Sequence, residues 1–205
     1  MSREGQNSRI VKDEGTEKIL NWGRSNIPID PKSFELIEKF AIDYINHKNR
    51  CFVTDGYVGW HPTHRLKVRA FSTRSYHALF MRNMLINPTE KELEEDFSKG
   101  VDINIINAGE MAVSKNIPGF TSNMVTATNL SKKKVVILGS QYAGEMKKAI
   151  FKLIEYIYPR RGLLPLHASA TLNEDGRSTL MCGVSETGKT ALALRSNSRK
   201  LIADD

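Results

Sequence analysis

Apolar residues recur along this chain at two spacings, one typical of helices and one typical of strands. The clearest helical pattern covers residues 144–158, where an apolar residue returns every third or fourth position. A second helix is predicted to begin at Pro31, because Asp30 can cap it and proline suits the first helical position. A third is predicted to be capped by Ser72 and to run to Met84.

Short β-prone runs lie between these helices. Arg65–Phe71 alternates apolar and polar residues, as a half-buried strand does. Thr89–Glu92 has the pattern of a capping box. The other strand candidates are Arg9–Lys12, Cys51–Thr54, Asp102–Ala108, Met124–Asn129, Lys134–Gly139, Leu163–Leu172, Ser178–Cys182 and Leu201–Asp205. Mixed helices and strands predict an α/β fold.

One segment has the pattern G-x-x-x-x-G-K-T of a phosphate-binding loop. Its glycines allow backbone N–H groups to face a polyphosphate. The terminal lysine can contact the last phosphates, and the threonine hydroxyl can bind Mg²⁺. The residues are Gly183, Val184, Ser185, Glu186, Thr187, Gly188, Lys189 and Thr190. We therefore predict a mixed α+β N-terminal domain over 1–162, followed over 163–205 by the start of a P-loop nucleotide-binding domain.

Composition narrows the class of protein. Hydrophobic residues make up 40% of the chain and charged residues 26%, as is ordinary for a globular protein. No apolar run approaches the roughly 18 residues of a membrane span, and the polar start lacks a signal peptide. Two cysteines, Cys51 and Cys182, indicate reduced thiols and a cytoplasmic protein.

The net charge of +7 favours polyanionic partners. A basic surface around an ATP site accounts for this charge. Nucleic-acid binding is the rival interpretation. The basic runs at 132–134 and 160–161 are short and carry no interleaved aromatic residues. We therefore predict no nucleic-acid partner.

Further polar runs accompany the phosphate-binding loop. Tyr142–Lys148 reads Y-A-G-E-M-K-K at the start of the long helix, His167 stands in an apolar strand, and Asp204 lies beside Asp205. With the loop, these runs resemble the ATP-dependent phosphoenolpyruvate carboxykinase family over about residues 9–205. The family's other motifs correspond to Leu166–Ala170, Gly183–Thr190 and Leu201–Asp205, and upstream to Arg65–Arg69, His77–Met84 and Asp102–Ala108.

The resemblance implies a reaction and a set of site residues. Oxaloacetate and ATP would give phosphoenolpyruvate, CO₂ and ADP, a step of gluconeogenesis, with ATP, Mn²⁺ and Mg²⁺ as cofactors. Decarboxylation would leave an enolate whose oxygen attacks the γ-phosphate. An imidazole, a neutral amine and a carboxylate suit Mn²⁺. The implied Mn²⁺ ligands are Lys148, His167 and Asp204, and the implied Mg²⁺ ligand is Thr190. The residues implied on the phosphate side are Lys147, Ser185 and Lys189. Those implied on the substrate side are Tyr142 and Arg3.

The sequence departs from the family pattern at several positions. Glu186 stands where the family has glycine, so a carboxylate is expected near the triphosphate. Ala203 also replaces a glycine. Arg3, the candidate for binding the substrate carboxylate, is surrounded by residues that differ from the family motif.

The family's nucleotide domain has barely begun at Asp205. We therefore expect this chain to be a fragment, a split gene or a decayed copy that is inactive alone, and a separate C-terminal half is a candidate partner. One alternative is a catalytically inactive relative that binds nucleotide or a partner chain. Another is a different P-loop kinase, against which the matching runs before residue 110 argue.

Overall fold

The computed structural model describes residues 7–114, 116–183, 187–195 and 199–204. The chain divides into two compact units, Met1–Leu153 and Ile154–Asp205. Both units combine helices and strands, which confirms the predicted α/β class.

The first unit is built on a mixed sheet. Its strands are β1 (Ser8–Val11), β2 (Pro28–Ile29), β3 (Phe52–Val58), β4 (Leu66–Ser72), β5 (Ile103–Ala108), β6 (Val125–Asn129) and β7 (Lys134–Leu138), in the order β2-β1-β6-β7-β5-β4-β3. The pairs β3–β4 and β6–β7 are antiparallel, and all other neighbours are parallel. β5 therefore joins two antiparallel hairpins into one sheet.

Two helices of the first unit, those that begin at Pro31 and Glu90, start where local capping predicts. The helices of this unit are α1 (Pro31–Asn46), α2 (Ser75–Met84), α3 (Glu90–Glu92), which continues as a π-helical turn at Leu93–Phe97, and α4 (Gly144–Ile157), which extends into the second unit. Asp30 caps α1 by accepting hydrogen bonds from the Ser33 amide at 2.9 Å and hydroxyl at 2.6 Å. These bonds lower the pKa of Asp30. The capping box at Thr89 and Glu92 is confirmed.

The main core of the first unit lies between α1 and the central strands. Phe34, Ile37 and Ala41 are fully buried on one side of α1. They form a cluster with apolar residues of β5, β6 and β7, among them Ala108 and Leu138. Burial of each large side chain contributes roughly 1.5–3 kcal/mol, so α1 is held mainly by its packing against the sheet.

Two predictions in this unit are wrong in detail. Ser72 does not cap α2 but ends β4, where it pairs with Phe52 and with Asn107, and α2 begins at Ser75. Pairing with two neighbouring strands thus outweighs the local capping preference of serine. The strand expected at Cys51–Thr54 instead covers Phe52–Val58.

β3 can include the charged residue Asp55 because the opposite strand, β4, supplies an oppositely charged partner. Asp55 lies directly across from Arg69. The two side chains form a two-pronged ion pair, with Nε–Oδ1 and Nη2–Oδ2 distances of 2.7 Å. The pair raises the pKa of Arg69, and it explains how a polar position fits within the strand.

The second unit contains a three-stranded antiparallel sheet and a short helix. Its elements are β8 (Ala168–Asn173), β9 (Ser178–Cys182), α5 (Lys189–Leu194) and β10 (Arg199–Asp204), with β8 in the centre of the order β10-β8-β9. β9 is as predicted. The strand predicted over Leu163–Leu172 begins only at Ala168, because its ladder with β9 starts at the Ala168–Cys182 pair.

No helix in the part of the chain that the structure describes is both long and apolar enough to cross a membrane.

Candidate functional site

The register of the second sheet brings three predicted site segments to one end. Ala168 pairs with Cys182, and Ser169 pairs with Asp204. His167 therefore lies one residue before the first pair, and Gly183, the start of the phosphate-binding loop, lies one residue after it. Because β8 is the central strand, β9, which leads into Gly183, and Asp204 flank it on either side. His167 is exposed and precedes the strand, rather than standing inside it as predicted.

Asp204 contacts the last residue of the loop. The Thr190 hydroxyl donates a hydrogen bond to Asp204 Oδ1 at 3.1 Å, and the Ser169 hydroxyl donates to the same oxygen. A hydroxyl and a carboxylate are hard oxygen ligands of the kind Mg²⁺ prefers. The two residues therefore fit a Mg²⁺ site. Ser169 was missed in the sequence, although it lies two residues after His167 within the motif at Leu166–Ala170.

Glycines shape the described parts of the loop. A Cβ on Gly183 would lie 2.9 Å from Thr187 Oγ1, so the absence of a side chain allows this close approach. Gly188 has φ +89°, a left-handed conformation that favours glycine. Lys189 follows directly as the first residue of α5.

Several predicted site residues lie outside the described residues. They are Arg3, Val184, Ser185 and Glu186. The predicted approach of the Glu186 carboxylate to a triphosphate therefore stays a prediction, as does the substrate contact of Arg3.

Tyr142 and Lys148 contact each other in the first unit. Lys148 Nζ lies 4.9 Å from the centre of the Tyr142 ring, within the range of a cation–π interaction. It also donates to Glu145 Oε1 at 3.0 Å, one helical turn earlier. Glu145 Oε2 accepts from the Thr126 hydroxyl at 3.1 Å. The ammonium of Lys148 is thus held by a carboxylate that is itself anchored to β6.

Lys147 points to a different neighbour. Its Nζ lies 5.7 Å from the centre of the Phe151 ring. The two adjacent lysines therefore lie over different aromatic rings, Lys147 over Phe151 and Lys148 over Tyr142. Glu145 was not singled out in the sequence, although its spacing of three residues from Lys148 is that of helical neighbours.

The predicted Mn²⁺ ligands belong to different units. Lys148 is in the first, whereas His167 and Asp204 are in the second. Within the described ranges, no three His, Cys, Asp or Glu side chains are grouped so that they could hold a metal ion. The set of Lys148, His167 and Asp204, which includes a lysine, stays a prediction.

Comparison with known proteins identifies relatives along the whole chain. A family model described as phosphoenolpyruvate carboxykinase matches residues 1–205. "Phosphoenolpyruvate carboxykinase (ATP)" of Dictyostelium discoideum is 43% identical over 204 residues, which is 99% of this chain and 36% of that protein. The protein of the same name from Neurospora crassa is 44% identical, with 99% and 33% covered. "Phosphoenolpyruvate carboxykinase (ATP) 2" of Salinibacter ruber is 42% identical, with 99% and 38% covered. The chain thus spans about a third of the length of these relatives.

Proposed function

The chain belongs to the phosphoenolpyruvate carboxykinase (ATP) family, and from this we propose that it provides part of the catalytic site that converts oxaloacetate and ATP into phosphoenolpyruvate, CO₂ and ADP. The observation that carries the proposal is the contact between Thr190 and Asp204 beside a G-x-x-x-x-G-K-T loop. That contact brings together two oxygen atoms of the kind that bind Mg²⁺. We also propose a cytoplasmic role in gluconeogenesis.

On the nucleotide side, Lys189 would contact the terminal phosphates of ATP. Thr190 would bind Mg²⁺ through its hydroxyl, and Asp204 would orient that hydroxyl or join it as a ligand. The hydrogen bond from Ser169 keeps Asp204 Oδ1 in place before the nucleotide arrives. Such preorganisation reduces the cost of fixing the site during the reaction.

On the substrate side, Tyr142 and the lysines of α4 would receive oxaloacetate, a dicarboxylate. Positive charge at Lys147 and Lys148 would attract it. Glu145 limits the movement of Lys148 until the substrate or a metal competes for the lysine. Arg3 is proposed to bind a substrate carboxylate.

Lys148, His167 and Asp204 are proposed to hold Mn²⁺, which would stabilise the developing enolate as a Lewis acid. The reaction balances without a redox partner. The bond to the departing carboxylate breaks, CO₂ leaves, and the electron pair remains on the enolate. The enolate oxygen then forms a bond to the γ-phosphorus, and ADP departs with the bridging oxygen. Lys189 would balance the charge of the transferring phosphoryl group.

Calorimetric titration with Mg²⁺–ATP tests the nucleotide half of this proposal. Lys189→Met and Asp204→Asn should each weaken binding, because each removes a charge that faces the phosphates or their metal. Asp175→Asn is the matched control, since Asp175 lies in an exposed turn of the same unit. Equal affinity in all four proteins would refute the assignment.

A coupled assay for oxaloacetate-dependent phosphoenolpyruvate formation tests the reaction itself. The chain is assayed with ATP and Mn²⁺, alone and together with a separately expressed C-terminal half of a relative. Turnover that depends on Lys189 and Lys148 supports the carboxykinase proposal. Nucleotide binding without turnover in either arm would instead support the alternative, an inactive relative that retains the nucleotide site.

A further inference from the structure

The backbone carbonyl before Tyr142 accepts two hydrogen bonds from α2. Tyr76 Oη donates to the Gln141 oxygen at 2.6 Å, and His77 Nε2 lies 3.2 Å from the same oxygen. Both donors come from consecutive residues of one helix. The carbonyl therefore has both of its lone pairs engaged, and the peptide that leads into Tyr142 has a fixed orientation.

A buried asparagine sets the tautomer of His77. The Gly109 amide donates to Asn107 Oδ1 at 3.0 Å, so the nitrogen of the Asn107 side chain faces the opposite way. That nitrogen, Nδ2, lies 3.2 Å from His77 Nδ1. Because an amide nitrogen can only donate, Nδ1 must accept and the ring proton must be on Nε2. The series of hydrogen bonds from Gly109 through Asn107 to His77 thus ends with an N–H that is directed at the Gln141 carbonyl.

The neutral ring is the form that this arrangement holds. His77 and Asn107 are both fully buried. Burial lowers the pKa of His77, the hydrogen bond with Gln141 raises it, nearby Arg74 lowers it and nearby Glu110 raises it, with a net shift downward. Protonation would place an N–H on Nδ1 against the NH₂ group of Asn107, so two donors would face each other.

The segment that contains Gln141, residues 139–142, is also held by close backbone contacts. A Cβ on Gly109 would lie 2.1 Å from the Ser140 carbonyl oxygen, and one on Gly139 would lie 2.2 Å from the Asn123 carbonyl oxygen. The Ser140 hydroxyl accepts from the Tyr142 amide at 3.3 Å. Residues 139–142 are therefore held by close packing at their start and by hydrogen bonds of the α2 side chains at Gln141.

We propose that His77 is a positioning residue: its Nε2–H fixes the Gln141 carbonyl, and so sets the Tyr142 ring beside Lys148 on the oxaloacetate side of the site. The assignment deepens the proposed carboxykinase function and rests on it. His77 is fully buried, so it would not itself contact nucleotide or substrate. It would act through the peptide that precedes Tyr142, a residue that is 43% exposed.

Two variants at this position separate positioning from packing. His77→Phe keeps an aromatic ring but removes the donor, whereas His77→Gln keeps an N–H near the position of Nε2. In the coupled assay, His77→Phe should lower kcat/KM for oxaloacetate by about five- to tenfold, the effect of losing one hydrogen bond, and should leave KM for ATP unchanged. His77→Gln should recover most of the loss. Equal effects on both substrates, or no recovery in His77→Gln, would overturn the proposal.

A second measurement does not depend on turnover. In protein labelled with ¹³C in its tyrosine rings, the Tyr142 signal is assigned by its loss in Tyr142→Phe. The signal should shift in His77→Phe and stay in place in His77→Gln. Tyr76→Phe removes the other hydrogen bond to the Gln141 carbonyl, and because Tyr76 is partly exposed this variant should still fold. It should also shift the Tyr142 signal, so it replaces His77→Phe in the test if that variant does not fold. If the wild-type chain shows no turnover even with the C-terminal half of a relative, the proposed function fails while this readout still decides the positioning. A Tyr142 signal that stays in place in both His77→Phe and Tyr76→Phe would refute the positioning role of His77.

Discussion

Gly144 allows the ring of Tyr142 to lie against the first turn of α4. A Cβ on Gly144 would meet three atoms of the Tyr142 side chain, the ring carbons Cζ at 2.6 Å and Cε1 at 2.7 Å and the phenolic Oη at 2.7 Å. These atoms belong to the free end of a side chain, so the ring would move before the backbone does. To restore an ordinary carbon–carbon contact of about 3.5 Å, the ring must shift by roughly 1 Å. Gly144→Ala is therefore expected to displace Tyr142.

The same substitution should not weaken the fold. Alanine is favoured over glycine by up to about 1 kcal/mol in a helix, and Gly144 does not adopt a left-handed conformation. Against this gain stands the loss of the contact between Tyr142 and Lys148, about 0.5–1 kcal/mol for an exposed cation–π pair. The two terms nearly cancel, so the free energy of unfolding should change little.

Urea denaturation and the coupled assay together test this reasoning. We expect an unchanged unfolding midpoint and a fall in kcat/KM for oxaloacetate of about fivefold, the equivalent of the lost contact. Gly15→Ala is the control, because the nearest atom to its Cβ would be the Ser131 side-chain hydroxyl at 2.6 Å, and the Asp13 carboxylate would lie at an ordinary 3.4 Å. A clear loss of stability with unchanged kcat/KM would show that the helix, and not the ring, absorbs the clash.

Three further predictions concern stability. Gly109→Ala should lower the free energy of unfolding by about 1–3 kcal/mol, because its Cβ would meet a backbone carbonyl oxygen at 2.1 Å; in the same urea titration, Gly15→Ala should change it far less. Burial lowers the pKa of His77 below its ordinary value of 6.5, so below pH 6.5 the unfolded chain binds more protons than the folded chain. The free energy of unfolding should therefore fall as the pH drops below 6.5. In urea titrations at several pH values, His77→Gln should show a weaker dependence of this free energy on pH. Asp55→Asn breaks a partly buried two-pronged ion pair and should cost about 1–2 kcal/mol, whereas Asp175→Asn, whose ion pair is exposed, should show almost no change in thermal unfolding.

Elements whose signals are local could be predicted from the sequence. The start of α1 depends on Asp30 and Pro31, which act on their own helix turn, and both behave as predicted. The Thr89–Glu92 capping box is local in the same way. The phosphate-binding loop is recognisable because its residue types and spacing follow from the shape of a polyphosphate. In these cases the sequence neighbours are also the neighbours in space.

Features set by strand pairing could not be predicted. Ser72 looks like a helix cap, but its partners in the ladder are Phe52 and Asn107, distant in sequence. His77 shows no periodic signal that distinguishes it from an ordinary core residue. Its role depends on Asn107 and Gln141, which are 30 and 64 positions away. Such contacts arise only when the register of the sheet is fixed.

The place of β1 in the sheet has a consequence for how the protein forms during synthesis. β1 lies between β2 and β6, and Ser8 pairs with Thr126. A nascent chain emerges from its N-terminus onward, so β1 leaves the ribosome long before β6 exists. The hairpin of β3 and β4 can close early, whereas pairing of β1 with β6 must span a long loop and is slow. Among the described strands of this sheet, β1 is therefore the first to be made, yet its pairing with β6 is among the last to form.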